Sequence, residues 1–241
     1  MYLSIIIPAH NEEKGIGQCL EALLREISRA GKKDDTEVIV VDNASTDCTK
    51  EVAEKFSGVR VVREDHKGLT WAREAGRKAA RGELLAYIDS DVHVPPGWLD
   101  IIYKEFAHRK HIVSLSGPSR YYDLTGVTKF LAEIGWNVFA PITYRLVGYM
   151  LYGANFVAKR EALEAIGGFD TTVAFYGEDT NLARRLAKIG KTVFLMRFFV
   201  TVSGRRIVQE GLLKTYWTYA KNYLSEVFLH KPTTKEYKDH R

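Results

Sequence analysis

The sequence predicts an α/β fold: a mostly parallel sheet with helices on both faces, followed by a C-terminal helical extension. Two observations carry this. Short apolar runs alternate with stretches of helical periodicity, the pattern of strand–helix–strand units that build parallel sheets. Polar residues also gather where those runs end, at His10-Asn11-Glu12-Glu13, Asp42-Asn43 and Asp89-Ser90-Asp91. Such sheets bind ligands beyond the carboxyl ends of their strands, so topology and polar placement agree.

The elements follow in order. Leu3 to Ile7 is an apolar run ended by Pro8 and reads as a buried strand. Ile16, Leu20, Leu23, Leu24 and Ile27 recur at helical spacing, with Asn11 as candidate cap. Val38 to Val41 is the second strand, and Ser45 and Thr46 are candidate caps for a helix with Val52, Ala53 and Phe56. Val59 to Val62 is the third strand. Gly68 opens a small-residue helix with Leu69, Ala72, Ala75, Gly76 and Ala79. Leu84 to Ile88 is the fourth strand, and Pro95-Pro96 starts a helix with Trp98, Leu99, Ile102 and Phe106 inward. Ile112 to Leu115 is the fifth strand.

The second half is less regular. Gly126 to Tyr152 is rich in aromatic and aliphatic residues. Ala154 to Ala158 reads as a strand, Asp179 to Ile189 as a helix stopped by Gly190, and Val193 to Met196 as a strand. A final helix spans Glu210 to Leu229, and the tail after Pro232 is polar. This organisation divides the chain into a main domain, 1–204, and a C-terminal helix and tail, 205–241. The main domain splits into halves of about 1–117 and 118–204.

At 241 residues, 46% hydrophobic and 27% charged, the chain suits one large domain with its own core. Its two cysteines, Cys19 and Cys48, have no metal-ligand spacing and read as reduced thiols. The N-terminus lacks the marks of a signal peptide, and no stretch reaches the roughly 18 apolar residues of a membrane helix. These features predict a cytoplasmic protein. A net charge of +5 favours anionic partners without choosing among them.

Three constellations could carry chemistry. Asp89 and Asp91 leave an apolar strand one residue apart, which is costly unless the carboxylates are solvated or paired. A hard divalent cation such as Mg²⁺ or Mn²⁺ would pair them, and His93 could add a nitrogen ligand. The competing reading is a solvated acidic turn. Glu178-Asp179 precedes a helix: a general base there could take a proton from a hydroxyl, or the acids could simply complement the helix terminus. Arg205-Arg206 could neutralise a diphosphate, as could Lys67 beside Gly68. A solvated basic turn is the alternative.

Six motifs in order resemble family-2 glycosyltransferases, which have the Rossmann-like GT-A fold. They are Ser4 to Glu13, Val40 to Asp47, Ala86 to Asp91, Gly153-Ala154-Asn155-Phe156, Gly167-Gly168-Phe169-Asp170 and Gly177-Glu178-Asp179. The resemblance implies an inverting transferase that moves a sugar from a UDP- or GDP-linked donor. It implies that Pro8, Ala9, Asn11 and Glu12 or Glu13 line the nucleotide pocket, that Asp42 meets base or ribose, and that Lys67 lies nearby. Asp89, with Ser90 beside it, would contact ribose or metal, and Asp91 would bind Mn²⁺ or Mg²⁺ on the diphosphate. Asp179 would be the base, with Glu178 next to it, and Gly153 and Asn155 would lie on the acceptor side. Donor contacts would fall in the half before about 117 and acceptor contacts after it. One base without an enzyme nucleophile suits direct displacement.

The pattern departs from processive synthases, since there is no Q-x-x-R-W motif, and this implies single-sugar transfer. Some relatives carry a late metal-binding His; here the stretch reads Val202-Ser203-Gly204-Arg205-Arg206. The acceptor would be a glycan or a lipid-linked molecule, in cell-envelope glycan or glycolipid synthesis, and not a nucleic acid. Aromatics from Phe130 to Tyr152, and Tyr216, Trp217, Tyr219 and Tyr223 beside Lys214 and Lys221, pack the core or line the acceptor cleft on one reading. On another they touch a membrane surface peripherally, at its inner face. Dehydrogenase and P-loop readings fail for want of their glycine motifs. The surviving alternative is a non-catalytic nucleotide-sugar or glycan binding module.

Overall fold

The computed structural model describes residues 2–173 and 176–230. The first half alternates β1 (Leu3–Ala9), α1 (Ile16–Arg29), β2 (Thr36–Asn43), α2 (Thr49–Glu54), β3 (Val59–Glu64), α3 (Leu69–Ala79), β4 (Leu84–Ile88), α4 (Trp98–His108) and β5 (Ile112–Ser116). Then come β6 (Ser119–Tyr121), α5 (Gly126–Ile134), a π-helical turn (Gly135–Phe139), α6 (Ala140–Val147), β7 (Asn155–Lys159) and α7 (Arg160–Ala165). The chain continues with α8 (Glu178–Ala187), β8 (Lys191–Phe194), β9 (Val200–Val202), α9 (Arg205–Glu210) and α10 (Leu212–Leu229).

Seven strands form one sheet in the order β3-β2-β1-β4-β7-β5-β8. All its pairings are parallel except those of β7, which runs antiparallel to both β4 and β5. A small parallel pair, β6 and β9, lies apart. Every residue of β1 is buried, as expected of a strand covered on both faces. Its alternate side chains enter different cores. Leu3, Ile5 and Ile7 pack with the α1 and α4 face, and Ile6 with Tyr87, Phe156 and the apolar face of α8. Helix α3 lies close on the sheet because Gly76 has no side chain: a Cβ there would stand 2.3 Å from Ile6 Cγ2.

Several boundaries differ from the sequence reading. Asn11 does not cap α1; it adopts φ 52° and holds a neighbouring loop, while Gly15 takes the cap position. Cys48 takes the cap position of α2, where Asp47 Oδ1 accepts from Thr49 N–H at 3.0 Å. Pro95-Pro96 lies before α4, which begins after Gly97 in the left-handed region. The predicted last helix is α10, which starts after Gly211, and a further short helix, α9, precedes it. The predicted polar tail lies outside the described residues.

Helix α10 is tied down by one buried acid. Glu226 accepts from Arg184 at 3.0 Å and from Asn181 at 3.1 Å, both on α8. Of the aromatics before β7, Trp136 meets Tyr152 edge-on at 4.7 Å, whereas Phe130 and Phe139 are exposed. Among the described residues no helix is long and apolar enough to cross a membrane.

Candidate active site

The carboxyl ends of β1, β2 and β4 open onto a cleft of about 450 Å³. β7 runs the other way, so its entrance opens on the same edge. Of the residues singled out from sequence, Pro8, Ala9, Glu12, Lys67, Asp89, Ser90, Asp91, Gly153, Glu178, Asp179, Arg205 and Arg206 line this cleft. Asn11, Glu13, Asp42, His93 and Asn155 do not.

The last group has other duties. Asn11 Oδ1 accepts from Thr46 N–H at 2.8 Å, and Glu13 Oε2 from Cys48 N–H at 3.2 Å. These bonds clip the loop after β1 to the loop after β2, so both residues hold the wall of the pocket rather than face into it. Asp42 is 1% exposed and ion-paired with Arg63 at 2.5 Å. Its second oxygen, Oδ1, is buried without a hydrogen-bond partner. His93 bridges Thr201 through its backbone and stacks its ring on Tyr122 at 5.0 Å. Burial lowers its pKa. Asn155 is fully buried: Trp98 Nε1 donates to its Oδ1 at 3.0 Å, and its Nδ2 donates to the Phe198 carbonyl at 2.6 Å. Asn155, expected on the acceptor side, thus spends its side chain inside the core and does not line the cleft.

Asn43 organises the end of the cleft beside β2. Its amide donates to the carbonyls of Glu64 (3.1 Å) and His66 (2.7 Å), and its Oδ1 accepts from Gly68 N–H at 2.8 Å. That clamp sets Lys67 at the cleft. His10 Nδ1 lies 2.7 Å from the Asn43 carbonyl and adds to the same frame.

The acidic floor is neutralised by arginines. Arg205 Nη2 reaches Asp91 Oδ2 at 3.2 Å and Glu12 Oε1 at 3.0 Å. Burial and the charge of Asp89 push Asp91 up to about 6, against the pull of Arg205. Arg206 bonds the hydroxyl of Tyr219, a cleft residue on α10.

Arg73, which the sequence reading missed, joins the two ends of the cleft. Its side chain is 2% exposed. One arm lies 3.7 Å from Asp89 and 2.9 Å from the Gly153 carbonyl; the other lies 3.3 Å from Glu178. A signal existed, since Arg73 sits on the inward stripe of α3 between Leu69 and Gly76, where only a partnered charge is tolerated. Asp179 accepts from Gly153 N–H at 3.4 Å and from Thr180 N–H at 2.7 Å. Burial raises both acids of this pair, and the charge of Asp179 raises Glu178 further while Arg73 opposes.

Helices on both faces of a mostly parallel sheet, with a cleft at its carboxyl edge, define a doubly wound ligand-binding fold. Residues 4–167, more than half of the chain, match glycosyl transferase family 2, and the chain belongs to that family. It is 36% identical over 104 residues to glycosyltransferase AglE of Haloferax volcanii, a match covering 41% of the chain and 33% of that relative. The chain thus spans about a third of the length of that curated relative. Two solved structures share the GT-A fold. The mannosyltransferase PcManGT of Pyrobaculum calidifontis, in complex with GDP-Man and Mn²⁺, gives a TM-score of 0.72 at 21% identity, over 95% of this chain and 63% of that one. The glucosyl-3-phosphoglycerate synthase of Mycobacterium tuberculosis, with Mn²⁺, UDP and phosphoglyceric acid, gives 0.65 at 21% identity, over 95% and 78%. The fold read from the sequence is therefore the observed one, C-terminal helix included.

Both neighbours hold Mn²⁺. Among the described residues no group of three or more His, Cys, Asp or Glu side chains is placed to hold a metal. His93 is turned onto Tyr122, Asp89 faces Arg73, and Asp91 faces Arg205.

Proposed function

We propose that the protein transfers a single sugar from a UDP- or GDP-linked donor to a hydroxyl or lipid-phosphate acceptor, with inversion. One observation carries this reading. The Arg73 guanidinium touches both Asp89 of the donor edge and Glu178 of the acidic pair, so the two lie within the span of one side chain. A base and a phosphate-binding edge at that separation can sit on opposite sides of one anomeric carbon.

In this reading the nucleotide lies along Pro8, Ala9 and Lys67, with Asp42 behind the base. Arg205 and Arg206 face the leaving diphosphate, where charge grows as the sugar–phosphate bond breaks. Asp179 accepts the proton of an acceptor hydroxyl as that oxygen attacks. A lipid-phosphate acceptor is already ionised and would need Asp179 less. The backbone N–H of Gly153 and the side chain of Arg73 hold the acidic pair in place.

The expectation of Mn²⁺ or Mg²⁺ at Asp91, Asp89 and His93 finds support in the neighbours' complexes but not in the pairing of these side chains. A membrane-surface contact is supported by α6 and α10. They expose Leu146 (81%), Trp217 (73%) and Phe228 (74%) near Arg145, Lys214 and Lys221. Binding to anionic vesicles at low salt, absent with neutral vesicles, would support it.

The test is thermal stability with UDP, GDP, CDP and TDP, since a ligand of the folded state raises the melting temperature by mass action. A rise with one of them, and transfer from its sugar that Asp179→Asn abolishes while nucleotide binding persists, fits the enzyme. Unchanged nucleotide binding with no transfer by the wild type, across hydroxyl and lipid-phosphate acceptors, would favour the binding module.

A further inference from the structure

We infer that Arg205 takes the place of a divalent cation in this chain, so that the nucleotide-diphosphate donor binds without metal. The inference rests on the donor reading above. Three observations converge on it. The guanidinium of Arg205 bridges Asp91 and Glu12, at 3.2 and 3.0 Å, and so holds the position from which a cation would meet the second carboxylate of the Asp-x-Asp pair. The position is built. Gly204 N–H donates to Asp123 Oδ1 at 2.6 Å, Arg205 N–H donates to Ser203 Oγ at 3.1 Å, and a Cβ at Gly204 would stand 2.4 Å from Leu124 Cγ. Of the remaining candidate ligands, His93 is turned onto Tyr122, and Asp89 stands 3.7 Å from the Arg73 guanidinium.

The physical conflict is direct. Mg²⁺ or Mn²⁺ bound to a carboxylate lies about 2.1 Å from its oxygen, which would put it beside the Arg205 guanidinium, like charge against like. A guanidinium can replace the ion in function: it is permanently charged and matches phosphate oxygens with paired N–H donors. Arg206, one residue on and held by Tyr219, places a second such group on the same wall. The pair would neutralise the two charges of a diphosphate that a metal neutralises elsewhere.

The experiment compares nucleoside diphosphate binding by the intact chain in EDTA and in Mn²⁺, using thermal shift and calorimetry, with free Mn²⁺ followed by electron paramagnetic resonance. The wild type should bind its nucleotide with equal affinity in both buffers and should not deplete free Mn²⁺. Arg205→Ala should lose about tenfold in affinity in EDTA, the worth of one charge-assisted hydrogen bond. It should recover that affinity in Mn²⁺, as the vacated carboxylates accept the ion. The Arg205 side chain is 37% exposed, and unchanged circular dichroism of the variant would confirm that it folds. Wild-type binding that appears only with Mn²⁺, with one ion taken up per chain, would overturn this inference alone. Failure of every nucleotide in both buffers would overturn the donor reading and the inference with it.

Discussion

Asn155→Ala separates a structural residue from an acceptor-binding one. The substitution removes the partner of Trp98 Nε1 (3.0 Å) and of the Phe198 carbonyl (2.6 Å), both enclosed in the core with Asn155 fully buried. Each buried polar group left unpaired costs about 1–3 kcal/mol. Two of them give a loss of about 2–6 kcal/mol. In a protein of this size 1 kcal/mol moves the melting temperature by roughly 2–4 °C, so a fall of at least about 4 °C is expected by differential scanning calorimetry. Steady-state kinetics below the new transition should show an acceptor KM close to that of the wild type. The reasoning would be refuted by an unchanged melting temperature together with a raised acceptor KM, because Asn155 would then be spending its amide on the acceptor.

Other outcomes follow from the same structure. Gly76→Ala should destabilise the fold by about 1–3 kcal/mol despite better helix propensity, because the new methyl collides with Ile6; calorimetry reads the loss. In the proposed reaction Asp179 takes a proton only when ionised, and burial holds it above the ordinary aspartate value near 3.9, so kcat/KM should fall on acidification with a midpoint above that value. Glu178 is also raised, so its favourable contribution to folding is present below its ordinary value near 4.3 and is lost as pH rises through the folded value. The melting temperature of Glu178→Gln should therefore decline less on alkalinisation than that of the wild type. A thiol reagent should label exposed Cys48 in the native protein and buried Cys19 only after unfolding; native labelling of both would contradict the packing of α1.

The first five strands were legible because each is a short apolar run bounded by turn residues, and the Asp89-Ser90-Asp91 and Glu178-Asp179 motifs stood where strands and helices change over. Direction was not legible. Ala154 to Ala158 carries the composition of a buried strand, and nothing in it distinguishes an antiparallel neighbour of β4 from a parallel one, since that depends on where the preceding chain returns. Asn155 misled for a related reason: an amide beside a glycine motif looks like a ligand contact until its neighbours Trp98 and Phe198, distant in sequence, are known. Arg73 was hidden inside a helix read for its small residues, although its inward position was there to be noticed. Asp91 and His93 looked like joint ligands by spacing, but the turn after β4 sends one side chain to the cleft and the other to Tyr122.

The reversed strand has a consequence for how such a protein can change. The chain leaves the sheet at β5 and re-enters it at β7, and Ser116 pairs directly with Phe156, so the two ends of the intervening segment are fastened side by side. A segment closed in that way behaves as a loop, and doubling its length costs only about 0.6 kcal/mol of closure entropy. The helices α5 and α6 can therefore be lengthened, shortened or replaced while β1, β2 and β4, with the cleft edge they carry, keep their register. Length variation is absorbed between β5 and β7, outside the strands that frame the cleft.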